Sequence, residues 1–348
     1  RGLITDFYNK ILADNDRVFQ VHLRLDEIKD FDETIFRLKN IINLSNNEIR
    51  KIYQNKGRLR PWDTLVVSDN LNWSEFSKLN LYLHELEGVK PVVSSSRYYP
   101  YGSNVAHVVG YVGDASEKDV ERMDAIKENL VPGLKVGKSG IEYSNEKALI
   151  GKYGIKRYEV NSSGKRISQL EHIKESQGVS IKTTVDLEVQ KFAQELLKGQ
   201  AGSICAMDIY TGEVIAMASS PTYDPNKFTH GIGHKDWGEI RDNPLKPLVN
   251  KSVAGLYSPG STLKPLVALA ALEFGTIDPE KSIQCKGHKH PYELYGVKYH
   301  CWKKNGHGYM KLRNAIKQSC DIYFYEMARI LGVDKLSIIA KRYGLGAN

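Results

Sequence analysis

The residues Ser261 and Lys264 have types and spacing that could serve a nucleophile and its base. They follow Ser258-Pro259-Gly260 and precede Pro265 and an apolar run to Leu272, which predicts a helix that begins at the serine. Proline is tolerated in the first turn, because the first four N–H groups of a helix have no internal partner. Residues three positions apart share one helix face. An amine there can take the proton of a serine hydroxyl, provided that burial lowers the pKa of the amine.

A second motif, Ser319-Cys320-Asp321, lies downstream of the first. It separates a predicted helical segment, residues 312–317, from an apolar pattern through Tyr323 and Ile330 that predicts another helix. A hydroxyl on such a loop could relay a proton to a leaving amine, and the aspartate could fix a lysine by hydrogen bonds. Both motifs also have simpler interpretations. Ser-x-x-Lys arises by chance in capped helices, and Ser319 could be an N-cap.

Three cysteines and a histidine, Cys285, Cys301, His307 and Cys320, fall within 36 positions and suggest a metal site. Three thiolates and one imidazole are a common ligand set for structural zinc. The alternative is a disulfide with one thiol left over. The odd number of cysteines favours the metal, and three more histidines between residues 288 and 300 are further candidate ligands. The fourth cysteine, Cys205, lies in an apolar run and is predicted to be buried in a core.

Composition limits the class of protein. The 348 residues are 41% hydrophobic and 26% charged, which is typical of a globular chain of about two domains. The net charge of +8 does not indicate nucleic-acid binding, because basic residues are scattered among 41 acidic ones and no nucleic-acid-binding motif accompanies them. No run of eighteen apolar residues is present that could span a bilayer.

The first half of the chain shows short elements separated by turns. Asp32 precedes helically spaced apolar residues, and Ser45 with Glu48 forms the pattern of a capping box, so two helices are expected. The valines between Val105 and Val112 predict a strand, as do residues 158–160. A polar, Gly- and Ser-rich passage at residues 161–165, followed by a charged one, predicts a domain boundary near residue 175.

The second half begins with a strand, a helix and a hairpin. Residues 179–184 alternate like a strand, and Asp186 then opens an amphipathic helix. Two apolar runs, 202–208 and 213–219, are joined by a short loop that ends in Gly212, which predicts an antiparallel hairpin.

With these motifs in place, the sequence resembles the class B penicillin-binding proteins, in particular the branch that serves cell elongation. The resemblance covers almost the whole chain. The segments that carry it, besides the two serine motifs, are Arg97-Tyr98-Tyr99-Pro100, His107 to Tyr111, Gly140-Ile141-Glu142, Thr183-Thr184-Val185-Asp186, Thr211-Gly212-Glu213 and Tyr223-Asp224-Pro225-Asn226. Serine β-lactamases and penicillin-binding proteins share the Ser-x-x-Lys motif. Aspartate at the end of the second motif is a variant that this branch shows.

The resemblance implies a peptidoglycan D,D-transpeptidase that acts in cell-wall elongation and cell shape. Ser261 would attack the penultimate D-alanine of a stem peptide, expel the terminal D-alanine and pass the acyl group to an amine on a neighbouring strand. Lys264 would be the base, Ser319 the proton relay and Asp321 the residue that fixes the lysine. The backbone N–H of Ser261 would supply half of the oxyanion hole. β-Lactams such as penicillin would acylate the same serine.

The resemblance also implies an α+β fold. A pedestal or dimerisation-type domain is expected over residues 1–174. The N-terminal part of a transpeptidase domain, similar to serine β-lactamases and built from an antiparallel sheet flanked by helices, is expected over residues 175–348. The family's third motif, Lys-Thr-Gly or Lys-Ser-Gly, does not follow Asp321. We therefore expect a fragment that lacks its membrane anchor and the C-terminal half of the transpeptidase domain, and that is inactive by itself.

Cofactor, partners and location follow from the same resemblance. Relatives hold zinc near the active site, which favours structural zinc at the three cysteines and the histidine, and no organic cofactor is expected. The expected partners are peptidoglycan stem peptides, β-lactams, a glycosyltransferase of the SEDS family and membrane proteins of the elongation complex, with no nucleic acid. The expected location is the bacterial inner membrane, with the catalytic domain in the periplasm. A catalytically silent scaffold for the glycosyltransferase and a β-lactam sensor or hydrolase remain alternatives.

Overall fold

The computed structural model describes residues 1–57, 59–60, 63–122, 134–152, 154–160 and 166–346. The predicted Gly- and Ser-rich turn at 161–165 lies outside these residues. The chain divides into two compact units, unit 1 from Arg1 to Gly255 and unit 2 from Leu256 to Asn348. The predicted boundary near residue 175 therefore lies within unit 1 and stays a prediction. Within the described part of the chain, none of the helices combines the length and apolar character that crossing a bilayer requires.

Unit 1 contains a mixture of strands and helices. Its described strands are Ile4–Thr5, Ile11–Arg24, Thr64–Leu71, Val89–Tyr98, Val112–Asp114, Lys135–Gly137, Ile155–Val160, Arg166–Ile173, Ile181–Lys182, Gly202–Met207 and Val214–Ser220. Its described α-helices are Phe31–Ile41, Asn46–Lys56, Trp73–Leu81, Ala106–Val109, Glu117–Arg122, Gly140–Ser144, Glu146–Leu149, Leu187–Leu196, Asn226–Thr229, His234–Arg241 and Lys251–Ala254. Short 3-10 turns occur at Leu25–Glu27, Leu83–Glu85 and Gly102–Asn104.

The long strand Ile11–Arg24 organises the main sheet of unit 1. It pairs antiparallel with Ile4–Thr5, Thr64–Leu71 and Val89–Tyr98, whereas Ile4–Thr5 pairs parallel with Ile181–Lys182. One core lies where the first three helices meet this sheet, and a second lies around Ile4, Leu12 and Tyr99. The buried members of the first core include Val21, Leu23, Ile35, Leu38, Ile42, Leu65 and Leu79. Burial of such side chains contributes about 1.5–3 kcal/mol each, which makes these cores the main stabilising feature of unit 1.

A buried cluster of charges ties distant segments of unit 1 together. The Arg97 guanidinium lies 2.5 Å from a carboxylate oxygen of Glu142, and both side chains are almost completely inaccessible to solvent. The Arg1 guanidinium bridges Glu142 at 2.8 Å and Glu146 at 2.6 Å. Burial and the Glu142 charge raise the pKa of Tyr99, whose hydroxyl donates to Glu142 at 3.4 Å, well above its usual value. The two positive and two negative charges balance within this cluster.

Both predicted N-terminal helices form, but the capping residue of the first one differs from the prediction. The capping box of Ser45 and Glu48 is confirmed at the start of Asn46–Lys56. The preceding helix is Phe31–Ile41, and its cap is Asp30, whose carboxylate accepts from the Glu33 N–H, and not Asp32. Asp32 lies inside the first turn, where a carboxylate is favoured by the helix dipole.

The strand predicted through the valines after Val105 is wrong. The residues Ala106–Val109 form a short helix, and only Val112–Asp114 is a strand. Val105 and Val109 are buried in the second core of unit 1, so their tertiary contacts override the preference of valine for strands. Gly110 ends the helix with φ of 84°, and a β-carbon there would lie 1.9 Å from the carbonyl oxygen of Ser139. The chain can therefore turn at this point only with glycine.

The predicted helix and hairpin that follow are confirmed. Asp186 caps the helix Leu187–Leu196 by accepting hydrogen bonds from two backbone N–H groups. The strands Gly202–Met207 and Val214–Ser220 pair antiparallel, with Gly202 opposite Ser220. The strand predicted at 179–184 shortens to Ile181–Lys182. Cys205, predicted to be buried, is exposed because the alternation of the strand places it on the outer face.

Unit 2 is a small cluster of helices with two short pairs of antiparallel strands. Its described helices are Lys264–Glu273, Leu312–Lys317, Asp321–Leu331 and Val333–Arg342, preceded by the 3-10 turn Gly260–Leu263. The strand Ile283–Cys285 pairs antiparallel with Gly308–Met310, and Tyr292–Leu294 pairs antiparallel with Val297–Tyr299. Their shared core contains apolar residues of all four of these helices together with the three buried cysteines. The candidate site residues are all in this unit.

Candidate active site

Ser261 lies in a tight turn immediately before a helix, and not at the start of the helix as predicted. The turn Gly260–Leu263 is a 3-10 segment, and the α-helix begins at Lys264. Pro265 has no N–H with which to close an α-helical bond to Ser261. The turn closes instead through the Lys264 N–H, which donates to the Ser261 carbonyl in the i→i+3 pattern. Ser261 itself is exposed, whereas Lys264 is partly buried.

The four predicted catalytic residues lie together and are joined by hydrogen bonds. The Ser319 hydroxyl donates to the Ser261 hydroxyl at 2.9 Å. The Lys264 ammonium donates to the Ser319 hydroxyl at 2.9 Å, to the Ser319 carbonyl at 3.0 Å and to the Asp321 carboxylate at 2.5 Å. Among the described residues, no hydrogen bond joins Lys264 directly to Ser261. The lysine therefore reaches the exposed serine through Ser319.

Ser319 lies between the helices Leu312–Lys317 and Asp321–Leu331, as the sequence predicts. It is not an N-cap: the cap position belongs to Cys320, and no side chain caps this helix. Ser319 has φ of 50°, in the left-handed region that non-glycine residues seldom adopt. This conformation places its hydroxyl toward Ser261 and its carbonyl toward Lys264.

Trp302, which the sequence reasoning did not single out, contacts the same residues. Its backbone N–H donates to the second carboxylate oxygen of Asp321 at 3.1 Å. Its indole N–H donates to the carbonyls of Gln318 at 3.2 Å and Ser319 at 3.1 Å. The one available signal was its position directly after Cys301, and that adjacency does not reveal a contact with residues sixteen to nineteen positions away.

The predicted metal ligands also lie together. One ligand atom from each of Cys285, Cys301, His307 and Cys320 falls within 4.8 Å of every other. The His307 Nδ1 atom lies 3.6 Å from the Cys285 sulfur and 3.4 Å from the Cys301 sulfur. In tetrahedral zinc sites with Zn–S of about 2.3 Å and Zn–N of about 2.0–2.1 Å, a sulfur and a nitrogen ligand are about 3.6 Å apart. The donor set and its spacing therefore fit zinc.

The ionisation of these ligands is also compatible with a metal. All four cysteines of the chain are free thiols, so no disulfide joins Cys285, Cys301 and Cys320. Burial, together with the neighbouring thiols, raises the pKa of Cys320 to about 12. Without a cation this thiol stays protonated, so its thiolate requires the compensating positive charge that a bound metal would supply. Burial and the Lys303 charge lower the pKa of His307, which favours the neutral imidazole that binds metals. Three thiols packed beside an imidazole form a common ligand set of structural zinc.

Family models of known proteins match most of the chain. Residues 1–183 match the family model of the penicillin-binding protein dimerisation domain, and residues 202–348 match that of the penicillin-binding protein transpeptidase domain. The chain belongs to the penicillin-binding protein family. The order of the two domains confirms the predicted fold class, and the match over both halves confirms the resemblance drawn from the motifs.

Curated proteins and a solved structure resemble almost the whole chain. The peptidoglycan D,D-transpeptidase MrdA of Escherichia coli K12 is 33% identical over 99% of this chain and 55% of its own length. MrdA of Acinetobacter baumannii is 34% identical over 99% of this chain and 51% of its own length. The chain thus spans about half the length of the curated relatives it matches. The solved complex of penicillin-binding protein PBP2 with MreC from Helicobacter pylori matches with a TM-score of 0.86 at 30% identity, covering 99% of this chain and 64% of that one.

Proposed function

We propose that this protein provides the acyl-transfer site of a peptidoglycan D,D-transpeptidase that acts in cell-wall elongation and cell shape, with Ser261 as the nucleophile. The observation that supports this most strongly is the continuous hydrogen-bond chain from Ser261 through Ser319 to Lys264. A nucleophile within hydrogen-bond reach of a relay, and a relay within reach of an amine, is the arrangement that activated serines require. The names of the relatives support the choice of substrate.

The proposed reaction follows the hydrogen bonds. With Lys264 neutral, the two hydroxyls turn so that Ser261 donates to Ser319 and Ser319 donates to the amine. As the Ser261 oxygen bonds to the carbonyl carbon of the penultimate D-alanine, its proton passes through Ser319 to Lys264. When the peptide C–N bond breaks, the same route returns a proton to the leaving D-alanine amine. An acceptor amine then attacks the ester carbonyl carbon, the new peptide bond forms and the ester C–O bond breaks. The proton that the amine loses passes along the same route to the Ser261 oxygen.

Two further features assist this reaction. The N–H of Ser261 lies in the first turn of its 3-10 segment, where N–H groups have no internal partner, and can donate to the developing oxyanion. Asp321 accepts from Lys264 at 2.5 Å and holds the amine beside the relay hydroxyl. This carboxylate also stabilises the ammonium that forms when Lys264 takes the proton.

We also propose that Cys285, Cys301, His307 and Cys320 hold a structural zinc ion. The spacing of their ligand atoms supports this. Zinc with four protein ligands has no open position, so what it supplies is cross-linking and not Lewis-acid catalysis. The ligands come from four segments: the end of the strand Ile283–Cys285, the loop before Trp302, the residue before Gly308 and the cap of the helix that follows Ser319.

The proposed partners and location rest on the relatives. One similar solved structure is a complex with MreC, which supports an elongation-complex membrane protein as a partner of this protein. We further propose peptidoglycan stem peptides and β-lactams as ligands of the active site and a SEDS glycosyltransferase as a partner. The site then faces the periplasmic side of the inner membrane, where peptidoglycan is assembled. A β-lactam hydrolase or sensor would not require a dimerisation domain, which favours the transpeptidase over that alternative.

Labelling with a fluorescent penicillin tests the proposal on the protein expressed from its complete gene. The wild type should form a stable covalent adduct, and Ser261→Ala should not. Ser258→Ala is the matched control, because this serine is exposed and lies three positions upstream of the nucleophile. Purified protein should also join a pentapeptide donor to an acceptor amine and release D-alanine. Rapid release of hydrolysed penicillin would support the hydrolase, and the absence of any adduct in the wild type would support the silent scaffold.

A further inference from the structure

Trp302 is an exposed aromatic residue whose hydrogen-bonding edge is turned toward the catalytic loop. Its side chain is 64% accessible to solvent, so the ring contributes little to the core of unit 2. Both of its N–H groups are nevertheless used, the backbone one on Asp321 and the indole one on the carbonyls of Gln318 and Ser319. An exposed tryptophan that makes three such contacts with one loop is poorly explained by packing alone.

The indole bond falls at the point where the loop needs support. Ser319 has φ of 50°, a left-handed conformation that residues other than glycine keep only where neighbouring groups hold it. Its carbonyl accepts from two donors, the Lys264 ammonium at 3.0 Å and the Trp302 indole at 3.1 Å. Its own N–H donates to the Ile316 carbonyl at 3.1 Å. The orientation of the Ser319 peptide, and therefore of the hydroxyl attached to it, is set by these bonds.

We propose that Trp302 is a positioning residue for acylation. Its indole N–H orients the relay hydroxyl of Ser319, and its backbone N–H holds the Asp321 carboxylate that faces Lys264. The inference rests on the proposed acyl-transfer function and adds to it a residue outside the Ser-x-x-Lys and Ser-x-Asp motifs. Trp302 acts through Ser319 and Asp321 and is not required to touch substrate.

The indole contact can be tested without disturbing the backbone contact. In Trp302→Phe the ring remains and the indole N–H is lost. We expect the first-order rate constant for acylation by a fluorescent penicillin to fall about tenfold, as for the loss of one fixed hydrogen bond. The dissociation constant of the complex that precedes acylation should be unchanged. Trp73→Phe is the matched control, because Trp73 is 66% exposed and lies in unit 1, away from these residues in sequence.

A second variant separates positioning from folding. Replacing Trp302 with 3-benzothienylalanine, by suppression of an introduced stop codon, keeps the shape of the indole and exchanges its N–H for sulfur. Tryptophan inserted by the same method is the control. The isostere should reproduce the slower acylation while the zinc content and the thermal unfolding midpoint stay at their control values.

Three results would overturn the inference. One is an isostere variant that is acylated at the control rate. Another is a loss confined to the affinity of the first complex, which would make the ring a ligand contact. The third is a loss of zinc that matches the loss of rate, which would make Trp302 a support of the cysteine cluster only, since its ring lies 5.4 Å from that of His307. If the proposed acyl-transfer function itself were wrong, the result would be different from all three: neither the wild type nor Trp73→Phe would form an adduct.

Discussion

Glu142→Gln should destabilise unit 1 strongly, because Glu142 is the centre of its buried charge cluster. The Glu142 side chain is fully inaccessible and accepts hydrogen bonds from Arg97 at 2.5 Å, from Arg1 at 2.8 and 3.1 Å and from the Tyr99 hydroxyl at 3.4 Å. A glutamine of the same shape removes one negative charge. Among the described residues, Arg1 then keeps its ion pair with Glu146, whereas Arg97 loses the ion pair that it has with Glu142.

The magnitude follows from the burial. Removing one partner of a buried ion pair costs about 3–5 kcal/mol, because an uncompensated charge remains in a medium of low polarity. Water cannot replace the lost carboxylate as a partner of Arg97, because the side chain is only 1% exposed. One of its terminal nitrogens already lacks a hydrogen-bond partner among the described residues. For a unit of this size, 1 kcal/mol corresponds to about 2–4 °C in the unfolding midpoint. The expected decrease is therefore about 6–20 °C.

Thermal unfolding followed by circular dichroism, with Glu188→Gln as the control, checks this reasoning. Glu188 also forms an ion pair, with Lys10 at 2.8 Å, but both side chains are largely exposed, at 62% and 43%. Exposed pairs are screened by solvent and contribute little to stability, so the control should shift the midpoint by less than about 4 °C. Equal shifts in the two variants would show that burial of the cluster does not determine its contribution. A midpoint of Glu142→Gln above that of the wild type would refute the charge argument entirely.

The remaining predictions concern the cysteines and one surface carboxylate. Cys301→Ser should lower the bound zinc and slow acylation by up to about 10²-fold, because a shift of about 1 Å at a catalytic group has such an effect. The control Cys205→Ser should change neither the zinc content nor the acylation rate. If Cys301→Ser lost its zinc and was still acylated at the wild-type rate, the metal site would not support the catalytic site. In native protein one thiol, the exposed Cys205, should react quickly with Ellman's reagent, and the other three should react only on unfolding, together with zinc release. Burial alone would raise the pKa of Asp119, but hydrogen bonds from Lys138 and Ser116 outweigh it and lower the pKa to about 2. Because the unfolded value is about 3.9, the stability that Asp119 adds should be present above that pH and lost as the pH falls through about 2. Asp119→Asn should therefore be about 1 kcal/mol less stable than the wild type at pH 6, and the difference should shrink to a small fraction of that near pH 2, as measured by urea unfolding.

Local sequence patterns predicted those parts of the fold whose determinants lie within a few residues. The capping box of Ser45 and Glu48 and the hairpin around Gly212 form as expected, because caps and tight turns depend on nearest neighbours. The strand predicted at the valines after Val105 does not form, for the opposite reason: the conformation of these residues is determined by burial in a core to which distant segments contribute. The prediction that Cys205 is buried was wrong because an apolar run does not by itself indicate which face of a strand is covered.

The same distinction between local and long-range determinants applies to the candidate site. Residue types and motif spacing identified the four catalytic candidates and the four metal ligands, and the structure places each set together. The order of the hydrogen bonds could not be predicted, because it depends on Pro265, which tightens the turn at Ser261, and on the left-handed peptide of Ser319. Both are backbone effects that change where a side chain points without changing its identity. Trp302 is the clearest case, since its indole N–H donates to the carbonyls of Gln318 and Ser319, and every residue type offers that acceptor. Contacts of side chains with backbone across a loop thus leave no motif, and finding them requires coordinates.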